Sequence, residues 1–116
     1  MATIATALIV LVAAIHVYIV VLEMFLWRTP RGLQAFGTDQ AFADASAPLA
    51  ANQGLYNGFL VAGLVWALVC ARQDVATFFL ACVVVAGAFG AATVSRRIFY
   101  VQAVPAIAAL AAWWLL

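Results

Sequence analysis

The chain has 116 residues, 70% of them hydrophobic and 8% charged, with a mean hydropathy of +1.19 and a formal net charge of +1. Five basic and four acidic side chains are too few to coat a soluble domain of this length, so lipid is the solvent expected over most of its surface. There is no lysine and no basic face, which excludes nucleic acid as a partner.

The first predicted helix runs from Thr3 to Trp27. It lacks a basic segment ahead of its apolar run and is long enough for a full crossing, so it is expected to persist as a membrane span rather than act as a signal peptide. His16, Glu23 and Trp27 stand seven and then four residues apart, which puts them on one helical face. A polar connection, Arg28 to Ser46, follows. The second helix is predicted from Pro48 to Ala71 and opens with amides: Asn52 and Tyr56 share one face, Gln53 and Asn57 the adjacent one. After a tight turn at Arg72 to Asp74 comes a third helix, Val75 to Val94, ending with Thr93. A second turn, Ser95 to Arg97, leads to a fourth helix, Ile98 to Leu116, which begins with Tyr100 and Gln102. Pro105 removes a backbone donor there and predicts a kink, with the Val101 carbonyl released.

These elements read as one all-α domain over residues 1–116, an integral membrane four-helix up-down bundle. Arg28 and Arg31 lie in the first connection, Arg96 and Arg97 in the third, and Arg72 alone in the second. Four arginines against one place the first and third connections in the cytoplasm and both termini outside, in a cell inner membrane. Small residues at Gly54, Gly58 and Ala62, and at Gly87, Gly90 and Ala91, predict close helix packing within the bundle or between copies. A homo-oligomer is expected, a trimer ahead of a dimer. Cys70 and Cys82 have no metal-ligand spacing and read as small apolar residues.

Polar side chains inside a membrane are costly, so their placement is informative. Counted from the inner end, Glu23, Asn52, Gln53, Tyr56, Asn57, Thr93 and Gln102 fall within ~12 Å, and His16 lies nearer the midplane. The outer half is almost wholly aliphatic and aromatic. The plain alternative is that the amides only bond helix to helix. A carboxylate among amides favours a site instead.

The stretch from His16 to Glu23, then MFLWRTPRG, LAANQGLYNGFLVAG, AGAFGAATVSRR and VQAVPA, resembles a family of small bacterial membrane proteins of unknown function. The ANQGLYNG string is its most specific part, and the resemblance implies a four-helix membrane protein without implying an activity. A second, architectural likeness is to the membrane-associated eicosanoid and glutathione metabolism proteins. It rests on the long first connection, the amides around Asn52, and Arg97, Tyr100 and Gln102. That likeness implies a trimer with its active site at the cytoplasmic helix ends. The second helix here carries no charge, where that family has an arginine and a glutamate.

The leading functional expectation is a membrane-embedded enzyme or binding protein for a small lipophilic molecule. Glu23 is the expected proton donor or acceptor, with His16 at the apolar end of the site, and an isomerase or epoxide-type reaction needs no more than such proton transfers. Asn52, Gln53, Tyr56, Asn57, Gln102, Tyr100, Thr93 and Arg97 are the expected substrate contacts, with Asn52, Gln53 and Gln102 converging on Glu23. No metal site is predicted, and no cofactor is specified; a haem on His16 would rest on one residue. A small proton-coupled transporter and a structural subunit of a membrane assembly are the alternatives.

Overall fold

The computed structural model describes residues 3–116. Every regular element among them is helical: α1 (Thr3–Met24), α2 (Pro30–Phe36), α3 (Gln40–Val69), α4 (Gln73–Thr93) and α5 (Arg96–Leu115). Three of these, α1, α4 and α5, are long and apolar enough to cross a membrane. With 22 residues, α1 extends about 33 Å against a hydrocarbon core of about 30 Å. The longest helix, α3, has 30 residues but stands outside that group, because Asn52, Gln53 and Asn57 dilute its apolar run.

The connection expected between Arg28 and Ser46 is largely helical, and local chemistry explains why. Pro30 disfavours helix at the residue before it, and α1 ends at Met24 rather than reaching Trp27. Trp27 therefore leaves the face shared by His16 and Glu23. Thr29 caps α2: its Oγ1 accepts from the Gly32 N–H at 3.3 Å and donates to the Leu26 carbonyl at 2.6 Å, while Pro30 takes the first helical position. Gly37 closes α2 in the left-handed conformation, φ +65°, where a side chain would be strained. The Asp39 carboxylate then accepts from the Phe42 N–H at 2.8 Å and starts α3 at Gln40, eight residues ahead of the expected Pro48. Pro48 sits inside the helix, where it leaves the Asp44 carbonyl without its helical donor.

The packing resolves into two compact units, one built from the first half of α1 through Ile15 together with Leu60–Leu116, the other from His16–Phe59. In the first, Ile9, Val12, Leu64, Leu80 and Val83 form the core with Ala106 and Ala109. Alanines recur at 103, 106, 109 and 112 along the buried face of α5. A Cβ on Gly87 would come within 2.8 Å of the Ala103 backbone nitrogen, and one on Gly90 within 2.9 Å of Ile98. These two glycines are close-approach positions, as expected. Gly58, by contrast, has nothing within 4 Å of where its Cβ would stand.

The kink expected at Pro105 takes a specific form. Phe99–Ala103 is a π-helical turn, with the Val104 N–H donating to the Phe99 carbonyl five residues back. The wider turn accommodates a proline that cannot donate and whose ring would strike the carbonyl four residues earlier. The other turn is closed by a Schellman arrangement, the Arg72 N–H on the Ala67 carbonyl at 2.9 Å, with Ala71 at φ 50° where glycine is usual. Arg72 and Asp74 form a bidentate pair at 2.7 and 2.9 Å. It is solvent-exposed, and such pairs add little to stability.

Candidate functional site

The site grows from the buried stripe of α1. Residues 5, 9, 12, 16, 19 and 23 are buried in turn, a spacing of three or four that keeps one helical face inside. His16, 0% exposed, and Glu23, 8% exposed, are the polar members of that stripe. Large apolar side chains such as Val10, Leu11, Val17 and Tyr18 occupy the exposed side of the same helix.

Within the His16–Phe59 unit, α3 meets Glu23 through two residues one turn apart. Gly54 is the contact point: a Cβ there would lie 3.1 Å from the Glu23 Cβ and against the Met24 side chain. Three residues later, Asn57 is 8% exposed and its Nδ2 donates to Glu23 Oε1 at 2.7 Å. Glycine brings the helices close enough for the short amide to reach. A hydrogen bond of this length to a buried carboxyl group is at the strong end of the protein range.

Glu23 also lines a cleft of ≈ 440 Å³ with Met24, Phe25, Trp27, Arg28, Thr29, Ala47, Pro48 and Ala51. One wall is braced by polar contacts. Trp27 Nε1 donates to Ser46 Oγ at 3.0 Å, and that hydroxyl donates to the Phe42 carbonyl at 2.7 Å. The Trp27 and Phe36 rings stand 4.8 Å apart. Gln40 Nε2 reaches the Arg28 carbonyl at 3.2 Å and Asp44 Oδ1 at 2.9 Å, which fixes the backbone at the cleft mouth. Arg31 is occupied elsewhere, donating to the Tyr18 hydroxyl at 3.1 Å.

The expected substrate contacts are divided by this geometry. Asn57 is at Glu23; Asn52, Gln53 and Tyr56 are exposed on α3, so Asn52 and Gln53 do not converge on the carboxyl group. The 3.6-residue repeat turns them away from the face that Gly54 and Asn57 present. Thr93, Arg97 and Tyr100 are exposed in the other unit; Thr93 Oγ1 bonds its own helix at the Phe89 carbonyl, 2.7 Å away. Gln102 is partly buried in the π turn. The residues not anticipated are those of the cleft wall, Met24, Phe25, Arg28, Thr29, Ala47, Pro48 and Ala51. Their signals were present as the Thr29–Pro30 cap and the proline within α3.

Residues 10–114 match the model of a family described as a protein of unknown function, DUF1304. Comparison with curated proteins and with solved structures finds no match.

Proposed function

The chain belongs to the DUF1304 family, and on that premise we propose that it is a membrane-embedded protein that holds a small lipophilic molecule in the Glu23 cleft. Glu23 is the group that gives or takes a proton there. The observation that carries this reading is the double engagement of Glu23, which is buried, bonded through Oε1 to Asn57, and yet part of the cleft wall. Buried carboxyl groups in membrane helices are costly unless they are used. The wall itself is mixed in the way such sites are, with Met24, Phe25, Trp27 and Pro48 offering apolar surface beside two charged groups and a hydroxyl.

In this reading α3 is the fourth crossing, making an up-down four-helix bundle in the inner membrane with both termini outside. The arginine bias supports that orientation. Reporter fusions at either terminus are expected to read as periplasmic; a cytoplasmic signal at the C-terminus of a chain with four crossings would reverse the orientation. The exposed apolar faces of α4, carrying Phe78, Val85 and Phe89, face lipid or a second copy in a homo-oligomer.

The site is tested with a diazirine-bearing long-chain alcohol, photolysed with the protein in nanodiscs and mapped by peptide mass spectrometry. Labelling is expected within residues 25–29 and 47–51 and is expected to be lost in Ala51→Trp, whose indole fills the cleft. Labelling confined to the exposed faces of α4 and α5, unchanged by Ala51→Trp, would overturn the proposal.

A further inference from the structure

We infer that the molecule held in the cleft is a phospholipid with a primary ammonium in its head group, the ammonium on Glu23 and the phosphate on Arg28. The inference rests on the cleft reading proposed above and deepens it.

The cleft wall contains one acidic and one basic side chain, Glu23 and Arg28. They have opposite sign and share a cavity, yet they do not pair: among the described residues the ion pair present is that of Arg72 and Asp74. Glu23 is buried on α1 and takes the Asn57 amide on Oε1. That leaves Oε2 as an acceptor. Arg28 follows the end of α1 by four residues, in a turn whose carbonyl is pinned by Gln40, and its guanidinium has no side-chain partner among the described residues. Two opposite charges that line one cavity without pairing form a dipolar receptor. Its complement is a zwitterion of the reverse polarity.

Depth selects the source of that zwitterion. The apolar run of α1 ends at Met24, and the cleft residues Glu23 to Thr29 straddle that end. This is the level at which a bilayer presents its head groups, and where Trp27 is favoured. Phe25 and Leu49, at the same level, are 73% and 74% exposed and offer apolar surface for the upper acyl chains. A guanidinium matches a phosphate in charge and in fork geometry. A carboxylate accepts hydrogen bonds and cannot donate them. A primary ammonium therefore satisfies Glu23, whereas a quaternary ammonium has no N–H to give. A glycerol head offers hydroxyls without a positive charge, which leaves the buried carboxylate uncompensated.

The test measures retention of phosphatidylethanolamine, phosphatidylcholine and phosphatidylglycerol with identical acyl chains, added in equal amounts to delipidated protein and read by native mass spectrometry. The ethanolamine lipid is expected to be retained about tenfold over the choline lipid, the difference one charge-assisted hydrogen bond makes. Glu23→Gln is expected to erase that preference. Arg28→Gln, at an exposed position, is expected to weaken all three lipids together and keeps the test valid if the buried variant folds poorly. Equal retention of the three lipids, or a preference unchanged by both substitutions, overturns the inference. If that happens while the diazirine alcohol still labels the cleft and Ala51→Trp still blocks it, the head-group assignment falls and the cleft reading stands. If the labelling is absent as well, both fall.

Discussion

Gly32→Ala is expected to loosen the whole connection between α1 and α3, with trypsin cutting after Arg28 and Arg31 on the order of a hundred times faster than in the parent. A Cβ on Gly32 would strike the Leu26 carbonyl oxygen and lie 2.8 Å from that of Trp27. Both obstacles are backbone, so no side chain can swing aside. Overpacking of that kind costs roughly 3 kcal/mol, and the energy is taken from the docking of α2 rather than from the apolar helices. The measure is therefore local proteolysis in detergent or nanodiscs, since a global melt would dilute the effect. Gly58→Ala is the control. Its Cβ meets nothing within 4 Å, and replacing a helical glycine by alanine gains about 1 kcal/mol of helix propensity. Equal cleavage rates for the two variants would show that α2 is not held by this contact.

The second large effect is expected at the Glu23–Asn57 pair and is read as a cycle. Asn57→Leu keeps the branched skeleton and removes the amide, leaving a buried carboxyl group without its 2.7 Å donor; a loss of about 2–3 kcal/mol is expected. Glu23→Leu orphans the amide instead, at a cost of about 1–3 kcal/mol. The double variant buries leucine against leucine and is expected to lie close to the parent, because replacing both partners by apolar groups removes the debt of either one. The resulting coupling should be about 3–6 kcal/mol, since the two single losses add while the double variant loses little. Interhelical hydrogen bonds in membrane proteins average only about 0.6 kcal/mol in such cycles. A value at or below that average, from reversible unfolding in mixed micelles, would make the pair ordinary interhelical bonding and remove the basis for treating Glu23 as special.

Much of the helical layout was legible because each long apolar run fixes an element by length alone. The seven-residue step from His16 to Glu23 likewise placed both on one face, and both are buried. The first connection was harder. Its composition is polar, and polarity hides helices that are set by caps rather than by apolar periodicity. Thr29, Pro30, Gly37 and Asp39 carried the information as punctuation. The choice among the amides was harder still. Asn52, Gln53 and Asn57 are equivalent by residue type and by depth, and the face that meets α1 depends on where two backbones can approach. Gly54 decides it, three residues before Asn57. A glycine–amide pair at that spacing is a usable signal, and Gly58, which has open space around it, shows that glycine alone is not.

The bond between Glu23 and Asn57 joins residues 34 positions apart, so it acts as the clasp of a long loop. In polymer terms, once a clasp exists the length of chain it closes matters little. Each doubling of a flexible loop adds only about 0.6 kcal/mol of closure entropy. The exposed junction at Gly37 and Asp39, between the end of α2 and the start of α3, is then the place where the chain can be lengthened at small cost. Extra residues there enlarge a loop whose two ends are already fastened, and they leave the cleft wall on either side in register.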